Sequence, residues 1–248
     1  MNETEQKEKV CEILKTPIVC EDKEARIKYD PNTKVIYTGQ KYDRDPDEDM
    51  SDFAIGFYKI IYRDIVKELP NEQILSNGKL VNCCFAGDTM NSFNSIANLV
   101  PEAGQSKKTR TPKEKWTSSL QKYYHRYHCL ANFWILPFCI GRTGKKLNYY
   151  DSMDIFLEVI KSDYKLLEKH SSYFDAFPTF SDFKERHCIT KYNINGNTLS
   201  LYKGKRAEEL IEQALKMIDK RAEEISEKYG KELWDYFQDP YSVLGRGE

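Results

Sequence analysis

Residues 205–237, KRAEELIEQALKMIDKRAEEISEKYGKELWDYF, decide the fold class of this chain. Apolar side chains recur along this stretch every three or four residues, at Ile211, Ala214, Ile218, Ala222 and Ile225. That spacing predicts one long amphipathic helix with a single buried stripe, and Gly230 predicts a break near its end. We therefore expect helices with the same apolar spacing to dominate the rest of the chain.

Outward from this helix, shorter helical patterns outnumber strand patterns. Residues 51–69 predict a helix that Ser51 caps, and residues 25–38 predict a hairpin that turns at Asp30. The apolar run at 129–141 predicts a buried strand or a short core segment. The pattern predicts an α+β fold, a mostly α-helical single globular domain with short β-hairpins over residues 1–204. Residues 205–248 form a C-terminal helical element that packs on it or mediates association.

Charge and cysteine usage narrow the classes of protein. The 248 residues carry 38 basic and 39 acidic side chains, so a chain that wraps duplex DNA through its overall charge is excluded, although a local basic patch is not. The seven cysteines form no C-x-x-C pair, and the first residues carry no apolar leader, which predicts reduced thiols and a cytoplasmic location. No run is long enough to cross a bilayer, so a membrane partner is not expected.

The first candidate segment is Gly87–Phe93, GDTMNSF, which follows a predicted strand. A strand, a glycine and a helix N-terminus place free backbone N–H groups at one point, where an anion can bind. Asp88 or Thr89 would cap this helix, and Ser92 adds a further polar group. The alternative is that Asp88 or Thr89 is an ordinary cap with no other role.

The second candidate segment, residues 125–133, carries two histidines next to the apolar run. His125 and His128 are three residues apart and share a face if the segment is helical, with Asn132 one turn further on. A histidine in such a place can act as a general base. The alternative is a buried, hydrogen-bonded His128 and a surface His125. A zinc site lacks a third ligand at a motif spacing.

The third candidate segment is the basic loop GRTGKK at 141–146, followed by Asn148. Arg142 could bind a phosphate through two hydrogen bonds, although the spacing is not that of a P-loop. The alternative is a solvated basic turn. The acidic stretch from Asp43 to Asp52 lacks the glycine and the final glutamate of a calcium loop, so it is interpreted as a solvated loop.

Taken in order, three blocks resemble a bacterial family of uncharacterised function. They are GDTMNSF at 87–93, HCLANFWILP at 128–137 and DSMDIFL at 151–157, and the DPDED stretch at 45–49 also fits. The resemblance covers roughly residues 25–190 and implies membership without a chemistry. One departure is Ala131, where glycine is commoner in the family.

A looser resemblance connects His128, Asn132 and Asn148 with the C-terminal half of the HNH-like nuclease domain of some modification-dependent restriction enzymes. Those nucleases use a histidine base and a metal, so the resemblance implies Mg²⁺ or Mn²⁺ as candidate cofactors. The upstream D/E-H-I-x-P block that supplies the base is missing, since no histidine precedes His125.

The favoured hypothesis is a hydrolase of phosphodiesters or nucleotides, in phage defence or as a toxin. Asp88, His128 and Asn132 are its predicted catalytic residues, and Thr89, Ser92, Arg142 and Asn148 its predicted substrate-binding residues. Two alternatives stay open: a non-catalytic protein-interaction module that associates through its C-terminal helix, and a small-ligand or nucleotide sensor. The sequence alone leaves the metal and the oligomeric state undecided.

Overall fold

The computed structural model describes residues 2–21, 25–39, 47–63, 85–93, 116–137, 153–162, 177–192 and 207–244. The helices are α1 (Glu3–Leu14), α2 (Asp52–Ile61), α3 (Ser118–Tyr124), α4 (Met153–Ser162), α5 (Phe180–Arg186), α6 (Ala207–Gln238) and α7 (Pro240–Leu244). The strands are β1 (Ile18–Cys20), β2 (Lys28–Asp30), β3 (Val35–Thr38), β4 (Phe85–Thr89) and β5 (Phe133–Pro137). Short 3-10 helices cover Glu48–Met50 and Leu130–Asn132. This α+β, mostly helical architecture confirms the predicted fold class.

The long helix α6 is the element on which the others pack. Its predicted apolar stripe is fully buried, including Ile211, Ile218 and Ile225. The backbone leaves helical geometry at Tyr229 (φ −126°, ψ 16°), beside the glycine where the sequence predicts a break. Helix α1 lies along α6, and α2, α3 and the Leu130–Asn132 3-10 helix also contact it. The stretch that decides the fold class therefore also organises the core.

The predicted hairpin belongs to a three-stranded sheet in the order β1-β3-β2. Strands β2 and β3 are antiparallel, and Asp30 stabilises the turn between them. Its carboxylate accepts hydrogen bonds from the Asn32 backbone N–H (2.9 Å) and from the Thr33 hydroxyl (2.9 Å). Strand β1 adds parallel to β3, a pairing that no local sequence pattern indicates.

Helix α2 begins where the sequence predicts. Ser51 Oγ accepts a hydrogen bond from the Ala54 backbone N–H (3.3 Å), which caps the helix. Further along, Gly56 faces the Tyr236 ring of α6 so closely that any Cβ would collide with it. The Tyr236 hydroxyl donates to the Phe53 carbonyl (2.8 Å) and ties α6 to α2. The second half of the predicted 51–69 helix lies outside the described residues.

Strands β4 and β5 form a separate antiparallel pair. The apolar run supplies β5, which confirms the predicted buried strand. Asp88 and Thr89 lie within β4, opposite Trp134 and Phe133. The prediction that Asp88 or Thr89 caps a helix is wrong, because pairing with β5 keeps their backbone extended and helical geometry begins only at Phe93.

The segment between α3 and β5 is a turn instead of a continued helix. Helix α3 ends at Tyr124, so the prediction that His125 and His128 share one helix face is wrong. The Asn132 amide donates to the Tyr127 carbonyl (2.7 Å) and closes a tight loop. This loop reverses the chain so that the apolar run can pair with β4. The long-range strand pairing outweighs the local helix propensity of the segment.

Several predicted features lie outside the described residues. They are the loops at 102–112 and 141–146, Asn148, the helix start at Asp151 and the hairpin at Asn195. Among the segments that the structure does describe, no helix combines the length and the apolar character needed to cross a membrane.

Candidate functional site

His128 and Glu48 form the centre of the candidate site. Nδ1 of His128 lies 2.9 Å from Oε2 of Glu48, and both side chains are about a quarter exposed (26% and 22%). The second ring nitrogen, Nε2, makes no hydrogen bond within the described part of the chain. A carboxylate on Nδ1 selects the tautomer that leaves the Nε2 lone pair open. The pair therefore has the arrangement of an oriented general base.

Glu48 stays ionised beside this histidine. Burial works against the carboxylate and raises its pKa, but the hydrogen bond and charge of His128 lower it further than burial raises it. The backbone N–H groups of Glu48 and Cys20 also stabilise the carboxylate, so its pKa ends below the usual value. The carboxylate belongs to the Glu48–Met50 3-10 helix, and strand β1 contributes the Cys20 N–H that stabilises it.

Asp49, the next residue, has its pKa shifted in the opposite direction, so its carboxyl group is held protonated. It is 7% exposed, and burial raises its pKa well above the usual value, helped by the negative charges of Asp47 and Asp88. The Asp47 carboxylate also accepts a hydrogen bond from protonated Asp49, which raises the pKa further. A carboxyl group held neutral beside an ionised one is typical of sites that move protons.

Asp88 joins the same region from strand β4. It is half-buried, and one of its carboxylate oxygens accepts a hydrogen bond from the Thr89 backbone N–H (2.8 Å). The strand passes beside the 3-10 helix that carries Glu48, since the Gly87 N–H contacts the Met50 sulfur (3.0 Å). The fold thus brings Asp88 and His128 to one neighbourhood through Glu48 and Asp49. Thr89 is buried (4%), and Ser92 is half-buried.

Asn132 and Asn91 lie beneath this site and have no exposed surface. The Asn132 amide bridges two carbonyls, those of Tyr127 (2.7 Å) and Asn91 (3.1 Å). The Asn91 carboxamide oxygen accepts from the Met153 N–H (3.2 Å) at the start of α4. Asn132 therefore holds the turn that carries His128 and has the geometry of a positioning residue. Within the described part of the chain, its Oδ1 and the Asn91 Nδ2 find no hydrogen-bond partner.

A buried arginine supports the same turn from the opposite side. Arg221 of α6 is 2% exposed, and its Nη1 donates to the carbonyls of Ala131 (2.9 Å) and Phe133 (2.7 Å). Its Nε donates to the His187 carbonyl (2.9 Å). No carboxylate pairs with it within the described segments, so carbonyl oxygens and the Tyr62 hydroxyl compensate the charge there.

The other groups that could take part in chemistry are cysteine thiols, the predicted residues Arg142 and Asn148, and residues that could hold a metal ion. Burial raises the pKa of the Cys20 thiol to about 12 and that of Cys129 to about 11, so neither is an activated nucleophile. Arg142 and Asn148 lie outside the described residues. Within the described part, no group of three or more His, Cys, Asp or Glu side chains is arranged to hold a metal ion.

A separate cleft of about 500 Å³ opens between α1, the β1-β3-β2 sheet and the end of α6. Its lining is mainly apolar and aromatic and includes Tyr29, Trp234 and Phe237. None of the three candidate segments contributes to it. The described residues therefore contain two distinct places where a ligand could bind.

Sequence reasoning missed Glu48 and Asp49. Both belong to the acidic stretch that was interpreted as a solvated loop, and that interpretation is wrong for Asp49 (7% exposed) and Asp52 (3% exposed). The only signal for them is the acidic stretch itself, which lies directly before helix α2. Arg221 was also missed, because it lies within a helix of ordinary amphipathic pattern and its carbonyl partners at 130–133 are about 90 residues away in sequence.

Comparisons with protein-family models, with curated proteins and with solved structures find no match to this chain.

Proposed function

We propose that this protein is a hydrolase of phosphodiesters or nucleotides that uses His128 as its general base. The observation that carries the proposal is the His128–Glu48 pair, with Nδ1 held at 2.9 Å and Nε2 open. This is the arrangement by which a carboxylate orients an imidazole for proton transfer. The neighbouring Asp49 supports it, because burial and the charges of Asp47 and Asp88 raise its pKa and hold a protonated carboxyl group next to Glu48.

In the proposed reaction, Nε2 of His128 takes a proton from a water molecule as the water oxygen forms a bond to phosphorus. The ester bond to the leaving oxygen breaks, and that oxygen receives a proton from solvent water. Asp88, which is half-buried, would hold a divalent cation that binds with the substrate phosphate. Glu48 holds the imidazole and stabilises the imidazolium that forms.

An anionic substrate next to Glu48 and Asp88 needs a nearby cation. Two sources are consistent with the chain. One is the basic loop at 141–146, which follows β5 by a few residues and contains Arg142. The other is Mg²⁺ or Mn²⁺ bound with the substrate phosphate.

The test is hydrolysis of single-stranded DNA, duplex DNA, RNA and nucleotides, each with EDTA, Mg²⁺ or Mn²⁺. We expect His128→Ala to lower kcat by roughly 100-fold or more, the usual contribution of a general base. Glu48→Gln should lower kcat by about tenfold or more with little change in KM, because it acts through the imidazole. His125→Ala is the matched control, since His125 is exposed and only three residues away.

Two results would contradict the proposal. One is the absence of hydrolysis with every substrate and metal. The other is an activity that His128→Ala and His125→Ala leave equally intact. Circular dichroism of each variant separates a loss of activity from a loss of fold.

The second candidate function is a non-catalytic binding module, and the 500 Å³ cleft favours it. Small-molecule sites are mostly apolar hollows of roughly this size. The cleft shares no residue with the candidate catalytic region, so the two functions can be tested separately.

A further inference from the structure

The cleft between α1 and the end of α6 combines an aromatic lining with polar groups that have no partner. Tyr29 is 53% exposed, an unusual value for a large aromatic side chain, and Trp234 and Phe237 are only partly buried. Aromatic faces left open in a hollow are surfaces on which a flat ring can stack. The volume of about 500 Å³ lies within the roughly 300–1,000 Å³ range of small-molecule sites.

Polar side chains also line the cleft, among them Lys9, Glu12 and Gln238. The Lys9 ammonium lies 5.8 Å from the centre of the Trp234 ring and forms no ion pair within the described residues. Glu12 is one helical turn further along α1, and neither its carboxylate nor the Gln238 amide has a hydrogen-bond partner in the described part. One cation, one anion and one amide therefore surround an aromatic floor.

We propose that this cleft binds a ribonucleoside 5′-monophosphate. The base stacks on the Trp234 and Phe237 rings, and the Gln238 amide offers a donor and an acceptor to the base edge. The Glu12 carboxylate accepts hydrogen bonds from the ribose hydroxyls, and Lys9 binds the phosphate. A ligand with a flat ring, a diol and an anion matches the aromatic floor, the Glu12 carboxylate and the Lys9 ammonium at the same time.

The proposal is independent of the hydrolase, because the cleft contains neither Glu48 nor His128. Calorimetric titration with AMP tests it, together with 2′-deoxy-AMP, adenine and inorganic phosphate as partial ligands. We expect AMP to bind and to quench the emission of Trp234, since the other tryptophans, Trp116 and Trp134, are buried in the core. Each partial ligand should bind at least about tenfold more weakly, because it lacks one group that the cleft recognises.

Variants assign the binding to the cleft. Lys9→Ala, Glu12→Gln and Trp234→Phe should each weaken AMP binding by about tenfold or more, and Glu12→Gln should also abolish the preference for AMP over 2′-deoxy-AMP. Lys216→Ala, which removes an exposed lysine of α6 away from the cleft, is the control and should bind as the natural chain does. His128→Ala should also bind AMP normally.

The proposal is overturned if AMP does not bind. It is also overturned if binding is unaffected by the cleft variants, or if His128→Ala removes binding while Lys9→Ala does not, since the nucleotide then occupies the catalytic region. Lys9 and Glu12 are exposed, so their variants are expected to fold, and circular dichroism checks this for Trp234→Phe.

Discussion

At the scale of single residues, Asp49 and His187 are two ionisable groups that the fold holds neutral. Asp49 is neutral because burial, Asp47 and Asp88 disfavour its carboxylate. His187 is neutral because burial and the charges of Arg221 and Arg186 lower its pKa well below the usual value. Each group makes stability depend on pH, with opposite signs.

Asp49 should reduce stability near neutral pH. Its folded pKa is raised, so its stabilising contribution is complete below about pH 3.9 and is lost as pH rises through the folded pKa. We expect Asp49→Asn to raise the free energy of unfolding at pH 7 by about 1–3 kcal/mol, because it removes a buried ionisable group while keeping a donor for Asp47. Urea denaturation measures this.

The control for this substitution is Asp235→Asn, which changes an exposed carboxylate of α6. It should shift stability by less than about 0.5 kcal/mol. A gain that persists unchanged at pH 4 would contradict the assignment to the ionisation of Asp49.

His187 should make the protein sensitive to acid. The Tyr62 hydroxyl is hydrogen-bonded to its Nδ1 (2.7 Å) and accepts a hydrogen bond from Arg221 Nη2 (3.5 Å), which places the arginine charge close to the buried ring. Below about pH 6.5 the unfolded histidine binds a proton that the folded one does not. Stability should therefore fall by up to about 1.4 kcal/mol per pH unit, and His187→Gln should lose this slope although it is less stable overall. Unfolding curves between pH 7.5 and 5 measure both chains, and equal slopes would contradict the prediction.

At the scale of elements, the structure that depends on neighbouring residues could be predicted from the sequence, whereas the structure that depends on long-range pairing could not. Helix α2 with its Ser51 cap, the turn at Asp30 and helix α6 were predictable, because each depends on residues within a few positions. The roles of Asp88 and Thr89 were not, since pairing with β5 about 45 residues away overrides the capping pattern. The turn before β5 depends in the same way on Arg221, which donates to the Ala131 carbonyl 90 residues away.

Arg221 should contribute strongly to the stability of the turn before β5. Replacing it with alanine removes the hydrogen bonds that Arg221 donates to the buried carbonyls of Ala131 and Phe133, and the longer one to Leu130, which keeps the Phe133 N–H as a donor. We expect Arg221→Ala to cost about 3–5 kcal/mol in the free energy of unfolding. Lys220→Ala, on the half-buried neighbouring position, should cost less than about 1 kcal/mol. A loss below about 1 kcal/mol for Arg221→Ala would show that the carbonyls find other partners.

At the scale of the whole molecule, the fold brings together segments that the sequence pattern singles out separately. The segments of Asp88 and His128 both lie against the Glu48–Met50 3-10 helix. Glu48 and Asp49 could not be selected from the six acidic residues between Asp43 and Asp52, because burial decides which of them ionises. That burial comes from β1 and β4, which each pack against the 3-10 helix only in the folded chain.

The proposed mechanism depends on the His128 tautomer, which long-range ¹⁵N–¹H correlation NMR observes directly. We predict that in the neutral imidazole the proton sits on Nδ1, beside Glu48, and that Nε2 carries the lone pair. Glu48→Gln should weaken that preference, and His125, which is exposed, serves as the internal reference. A proton on Nε2 of His128 would contradict the account, because the nitrogen proposed as the base would then have no lone pair to accept a proton.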